Sequence, residues 1–402
     1  MRFVSFVVVD SSSLDYDFEF IGHKDHVMRF GLNFFPSFRL QDMSTAEYYA
    51  LGLRLSERAD ELGYSSVKTV EHYFHDYGGH SPNPIVLLSA IAARTRRIRL
   101  ITGAVIPAFN NPIKLAGELA MLDNICNGRL DAGFGRAFIP KEFDVFGVNM
   151  EESRARFDEG IDIITRLWTE ERVSYEGKFH RFRDVRLMPR PVQKPHPPIW
   201  IAAVATKESF IWAGRHGYHI MIVPFASNLD LVRDLVQSYR GAWREAGHPP
   251  GAEQIQSSLH CYVAETHQEA MEGFKRPVER YIEVFAEAVS SWAGQQTSQY
   301  AGYNKLVEAI SALTAEKMID SHTALVGTPE EVIEQVQFNR DLIGEHEPSM
   351  QINFGGIKER EAFRTLELFA AHVMPHFQTP AAPEPQAKLG ISRARTQRPQ
   401  RN

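Results

Sequence analysis

Apolar positions along this chain repeat with two periods in alternation. Short runs rich in β-branched and aromatic residues give way to longer stretches in which apolar residues recur every three or four positions. These are the marks of strands and amphipathic helices. RFGLNFF (Arg29–Phe35) predicts a first strand, and STAEYYALGLRLSERADELGY predicts the helix after it. Ser44 reads as its N-cap, Glu47 completes a capping box, and Gly63 stops it. SSVKTVEHY predicts a second strand, followed by the helix PNPIVLLSAIAARTRR, whose basic residues sit at the end that the helix dipole favours for cations. IRLITGAVIP is continuously apolar, as a fully buried strand should be, and NPIKLAGELAMLDNICNG predicts a helix ending at Gly128. RLDAGFG predicts the fourth strand.

The cycle then repeats with one interruption. Helix EESRARFDEGIDIITRLWTEE leads into a hairpin-like insertion, RVSYEGKFHRFRDVRLMPRPVQKPHPP. Strands IWIAAV, HIMIVPF and IQSSLHCYVAE follow, each with its helix. An irregular stretch from about Ser290 to His322 precedes helix TPEEVIEQVQFNRDLI, and strand MQINF with helix EREAFRTLELFAAHVMPHF completes the set. Eight strand–helix units predict an α/β fold, a closed parallel (β/α)8 TIM barrel with an insertion or lid after strand 7. A doubly wound open sheet would carry a glycine-rich first strand–helix turn, and NFFPSF is not one.

Composition narrows the class. A net charge of -6 without clustered Lys and Arg gives no nucleic-acid footprint. Cys126 and Cys261 are the only cysteines, too few and too far apart for a disulfide framework or a zinc site, so a reducing cytoplasm is the default compartment. No run approaches the ~20 apolar residues of a membrane span. The ends depart from the globular pattern. MRFVSFVVVD is followed by the acidic SSSLDYDFEF with no small-residue cleavage site, and Met28 offers a second start. The reading is an N-terminal extension over 1–27, a barrel over 28–377, and a disordered tail over 378–402, where TPAAPEPQAKLGISRARTQRPQRN has little to bury.

On a barrel, chemistry sits where strands end. Asn33, Phe34 and Phe38 follow strand 1; Glu71, His72 and Tyr73 follow strand 2; Thr102, Gly103 and Ala104 close strand 3; Gly135 and Arg136 follow strand 4; Ala205 and Thr206 follow strand 5. This ring is apolar, rich in small residues and sparsely polar, which suits a flat aromatic ligand. His72 and His75 are three apart, with no HExxH and no adjacent Cys or carboxylate set, so a metal is not expected. The alternative for TVEHYFHDYGGHSPNP is a polar surface loop. Arg136 lies among small residues in GFGRAF, where a guanidinium could grip a phosphate or pair with a loop acid such as Glu142 or Asp144. AAVATKES opens a helix, and its free N–H groups with the Thr206 and Ser209 hydroxyls and Lys207 would seat a phosphate, or the turn would simply cap the helix.

Taken in order, MRFGLNFF, VEHYF, NPIVLLSAIAARTRRIRLITGAV, NPIKLAGELAMLDNICNGRLDAGFGRAF, SRARFDEGIDIITRLW, YEGKFHRF, PVQKPHPPIWIAAVATKES, VGTPEEVIEQV and LFAAHVMPHF resemble the bacterial luciferase-like monooxygenase family from about Met28 to Phe377. The resemblance implies a barrel that binds reduced FMN supplied by a separate reductase. Dioxygen would then react through a C4a-(hydro)peroxyflavin to oxygenate an organic substrate, by attack on an aldehyde or ketone or by hydroxylation. It implies His72 as the catalytic proton-transfer residue with Glu71 as its orienter, and Arg136, Thr206 and Ser209 as phosphate ligands. Glu142 matches an acid of the flavin pocket, and Gly103–Ala104 matches a peptide, sometimes cis, behind the ring system; Thr102, Gly135 and Ala205 belong to the same implied flavin site. Phe34, Phe38, Tyr73, Phe109, Phe225 and Asn33 are the expected substrate pocket. A homodimer through the helices near strands 2 and 3 is also implied. Gly135 stands where luciferase has a reactive cysteine, and Ala205 and Lys207 stand where many relatives have Ser and Pro, so light emission is not expected. The rival readings are an F420-dependent oxidoreductase on the same barrel and a non-catalytic flavin-binding partner subunit. His72 speaks against the second, because luciferase's partner chain lacks that histidine.

Overall fold

The computed structural model describes residues 27–378 apart from 205, 227–228, 294, 296 and 301–302. The expected N-terminal extension, save Val27, and the tail beyond Gln378 lie outside the described residues, and Gln378 itself ends the helix Met374–Gln378. Eleven strands run in chain order: β1 Gly31–Phe34, β2 Ser66–Thr69, β3 Arg99–Thr102, β4 Leu130–Phe134, β5 Val173–Glu176, β6 Arg181–Val185, β7 Ile199–Ala202, β8 His219–Ile222, β9 Ile255–Val263, β10 Ala324–Gly327 and β11 Glu347–Gln351. Eight of them close a parallel barrel in the order β1-β2-β3-β4-β7-β8-β9-β11, with β11 pairing back onto β1. Each overlaps one of the eight strands expected from the sequence, the last only at Met350 and Gln351, because β11 starts three residues before MQINF. β5 and β6 form the antiparallel ribbon expected of the insertion. No helix among the described residues is long and apolar enough to cross a membrane.

β10 is the strand the pattern does not reveal. β9 is nine residues long, against four or five for its barrel neighbours. Its first residues pair with β8 from Ile255 to Ser257, and its last four, His260 to Val263, pair with β10. A four-residue apolar run at the end of an irregular stretch carries no periodicity to distinguish it from loop. Its pairing depends on β9 extending past the barrel wall.

Local signals hold where they are strongest. The first helix, Thr45–Leu62, starts on a complete capping box. Ser44 Oγ accepts from the Glu47 N–H at 3.2 Å, and Glu47 Oε2 accepts from the Ser44 N–H at 2.8 Å. It stops at Gly63, whose φ of 88° is left-handed and suits a residue without Cβ.

The barrel interior is split. Ile101, Trp200 and Met221 pack together on one side. Opposite them, Ser66 Oγ donates to Glu347 Oε1 at 2.5 Å, and Gln256 Nε2 donates to the same oxygen at 3.1 Å. Lys68 lies fully buried nearby, with Nζ donating to Ser258 Oγ at 2.9 Å. Its stem runs so close to Gly103 that a Cβ there would sit 2.2 Å from Lys68 Cγ and Cδ, which explains a glycine at that strand end. Burial pushes the ammonium down to about 7, only partly offset by the charge of Glu347. A lysine with a folded pKa near 7 and an unfolded value near 10.5 binds fewer protons folded than unfolded between those limits. Stability therefore rises with pH through that window. Lys68→Met is expected to abolish the rise, and urea titrations at pH 7 and pH 9.5 on both proteins would show it.

Candidate active site

A cleft opens at the C-terminal ends of the barrel strands, with about 1020 Å³ of empty space that includes its solvent-filled mouth. Its floor and one side are made of small residues: Gly103, Ala104, Gly135, Ala202 and Ala203. The Gly103–Ala104 peptide is cis. A Cβ on Gly135 would lie 3.1 Å from the Ala104 Cβ, so a larger side chain would narrow the cleft at this point.

His72 lines the cleft with little exposure. Its Nδ1 lies 3.0 Å from Glu142 Oε1, which also accepts from the Tyr73 N–H at 2.9 Å. Glu142 is fully buried in the first turn of the helix Pro140–Phe146, where the dipole favours a carboxylate. This pair assigns the Nδ1 proton to the Glu142 side and leaves Nε2 for a ligand. Glu142 Oε2 has no hydrogen-bond partner among the described residues.

The carboxylate that meets the His72 ring is Glu142, whereas Glu71, its neighbour in the chain and the expected orienter, bonds elsewhere. Glu71 Oε1 accepts from the Tyr73 hydroxyl at 2.6 Å and Asn110 Nδ2 at 2.9 Å, and Oε2 accepts from the Ile106 N–H at 3.0 Å. Its carboxyl ties the β2 loop to the β3 loop while lining the cleft. Burial raises it to about 7 against these three donors. Seventy residues separate Glu142 from His72 in the chain, and no local spacing links them.

The cationic end of the cleft gathers Arg136, Thr206 and Ser209. Arg136 pairs with neither Glu142 nor Asp144. Its guanidinium lies 4.9 Å from the Tyr300 ring centre and 3.5 Å from the Gln299 carbonyl. Thr206 Oγ1 lies 3.0 Å from Ser209 Oγ and makes no capping bond to the helix Lys207–Arg215; the Ser209 N–H donates to the Thr206 carbonyl at 3.0 Å, which leaves the N–H groups of Lys207 and Glu208 at the helix start. Arg154 donates to Ser209 Oγ at 2.8 Å. Its pKa is lowered first by burial and then by the charge of Arg136, with Asp158 at 3.9 Å a weak counterweight. Sequence reading missed Arg154. The available signal was a cation in the first turn of the helix Ser153–Thr169, the end the dipole disfavours for positive charge.

Several expected residues lie elsewhere. Of the substrate set, only Phe225 reaches the cleft. Phe34 faces outward against Gly52 of the first helix, because strand alternation turns its neighbour Asn33 inward. Asn33 sits inside the barrel in register with Lys68. Phe38 stacks on His80 at 4.5 Å and on Tyr48 at 5.0 Å. Tyr73 and Phe109 pack on Phe146, 4.7 and 4.8 Å away, in a separate aromatic cluster. Of the flavin set, Thr102 lies behind the wall, its Oγ1 bonded to the Gly133 carbonyl and N–H, and Glu142 acts through His72. Ala205 lies outside the described residues. Gly103, Ala104, Gly135, Arg136, Thr206 and Ser209 do share the cleft with His72.

A barrel with this cleft defines the class, and comparison with known proteins gives the family. A family profile described as luciferase-like monooxygenase matches residues 28–346, and the chain belongs to that family. It is 45% identical to the crystal structure of monooxygenase RslO1 from Streptomyces bottropensis, with a TM-score of 0.78, covering 87% of this chain and 100% of that one. It is 29% identical over 361 residues to the oxygenase component of flavin-dependent trigonelline monooxygenase from Acinetobacter baylyi, covering 87% of this chain and 96% of the relative. The oxygenating constituent of 3,6-diketocamphane monooxygenase from Pseudomonas putida, in complex with FMN, shares the fold at a TM-score of 0.74 and 21% identity, covering 87% and 99% of the two chains. The chain is thus an oxidoreductase, a luciferase-like flavin-dependent monooxygenase.

Proposed function

We propose that this chain is the oxygenase of a two-component system. In this reading it takes reduced FMN from a separate flavin reductase and uses dioxygen to oxygenate an organic substrate. The observation that carries it is the meeting, in one cleft, of a carboxylate-oriented histidine and a guanidinium-rich anion seat. The site fits FMN in its parts. Small residues on the floor admit a flat ring system, and Arg136, Arg154, Thr206 and Ser209 would hold the phosphate with the helix N–H groups. Arg136 has no carboxylate partner among the described residues, so an anion completes its coordination.

When bound, reduced FMN supplies the two electrons that activate dioxygen, one oxygen atom going to the substrate and the other leaving as water. The chain's own contribution is to position, to exclude water and to hold a proton. His72 lines the cleft with Nδ1 held by Glu142, which leaves its other ring nitrogen for proton transfer. The segment after the helix His267–Val289 covers the cationic end, with Tyr300 over Arg136 and its hydroxyl donating to the Ala137 carbonyl. A reactive oxygen species needs such a cover against water.

A cytoplasmic homodimer fits the same reading. The helices after β2 and β3 expose Val86, Met121 and Ile125 at 67%, 51% and 50%, apolar side chains suited to meeting a second copy. Titration of purified protein with oxidised and reduced FMN, followed by mass analysis of product formed under ¹⁸O₂ with a flavin reductase, tests the proposal. Micromolar FMN binding and label in the product are expected; binding of neither flavin form would end it.

A further inference from the structure

The cleft has two ends of opposite character. Away from the guanidinium end, six rings from five separated parts of the chain line it: Phe35, Tyr77, Phe138, Phe225, Phe285 and Tyr303. They brace one another. Tyr77 lies flat on Phe285 at 4.2 Å and 7°, and Phe35 tilts against Tyr77 at 4.5 Å. Phe225 meets Phe285 edge-on at 6.4 Å, and Phe138 meets it edge-on at 6.5 Å. The ionisable groups lining the cleft among the described residues, tyrosines aside, are Glu71, His72 and Arg136. Glu71 is committed to three donors, and Arg136 belongs to the other end. His72 sits on the aromatic wall, 5.6 Å from the ring centres of Phe35, Tyr77 and Phe138.

We propose that the aromatic end takes an uncharged substrate built on a planar aromatic ring and bearing a hydroxyl or carbonyl oxygen for His72 Nε2. This deepens the monooxygenase reading and rests on it. Three physical arguments converge. An ionised group at this end would be desolvated without a partner, which penalises carboxylates and ammonium ions heavily. Rings that already stack and cross in pairs present flat faces and positive edges, so an aromatic guest gains offset-stacked and edge-to-face contacts that an alkyl chain of equal area does not. With Nδ1 on Glu142, His72 keeps its other ring nitrogen free of protein partners among the described residues, and a neutral oxygen substituent satisfies it without introducing charge.

The test uses the full chain loaded with oxidised FMN and three probes of similar apolar area: 2-naphthol, 2-naphthoate and decanal. Binding is followed by calorimetry and by perturbation of the flavin absorbance. 2-Naphthol is expected to bind at least tenfold more tightly than either 2-naphthoate or decanal. Phe138→Ala and Phe285→Leu are each expected to weaken 2-naphthol about fivefold, with a smaller loss for decanal. Equal or tighter binding of decanal or 2-naphthoate by the unmodified protein overturns the proposal, independently of whether either variant folds. The flavin reading fails separately. If FMN does not bind, the same three probes titrated into the flavin-free protein still rank the aromatic site by calorimetry.

Discussion

Replacing His72 by Ala is expected to lower product formation by about two orders of magnitude or more, the range in which a positioned proton-transfer group contributes. FMN affinity should change little, because in the proposed reading its phosphate would be held at the other end of the cleft, by Arg136, Ser209 and the helix that Thr206 opens. Consumption of reduced FMN should continue with hydrogen peroxide as the dominant product. The measurement is the ratio of organic product to peroxide under single turnover. Glu142→Gln sharpens the result, since an amide oxygen can still accept from His72 Nδ1 and from the Tyr73 N–H, which keeps the ring in place while removing the charge. Its product yield should fall between those of the unmodified protein and His72→Ala, with a shifted pH profile. A His72→Ala protein that keeps full coupling would remove His72 from the chemistry.

Arg136→Ala and Arg154→Ala should each weaken FMN by roughly 10- to 100-fold, the worth of a charge-assisted hydrogen bond to phosphate in a partly dry site. Riboflavin, which lacks the phosphate, should bind each variant about as well as it binds the unmodified protein. Fluorescence quenching titrations with both flavins separate the outcomes, because equal losses for the two ligands would mean that the arginines only shape the cleft. Arg154 is the sharper probe. In the free protein it already donates to Ser209 Oγ, so its loss also frees a hydroxyl of the proposed seat.

The barrel was legible because its strands and helices differ in period, and period survives in a single sequence. Helix ends such as Ser44, Glu47 and Gly63 were legible because capping chemistry is local. The cleft was legible only where a residue closes a strand, as His72, Gly103 and Arg136 do. Its partners were not. Glu142, Arg154 and Tyr300 reach their places through tertiary packing across separations of 70, 55 and 163 residues from His72, Ser209 and Ala137, the groups they bond. The aromatic wall was misassigned for a related reason. Phe34, Phe38, Tyr73 and Phe109 stand close in sequence to strand ends, but alternation and loop direction turn them into the packing layer. Phe35, one residue from Phe34, faces the cleft instead.

The overlong β9 has a further consequence. The segment that supplies Phe285, Tyr300 and Tyr303 leaves from the end of β9 and returns as β10, which hydrogen-bonds to that same end. Both of its anchors thus sit on one strand, and the entropy of closing such a loop grows only slowly with its length. Changes in its length are therefore expected to cost little in chain entropy. Two of the six rings on the aromatic wall, Phe285 and Tyr303, are thus supplied by a part of the chain that carries neither His72 nor Glu142.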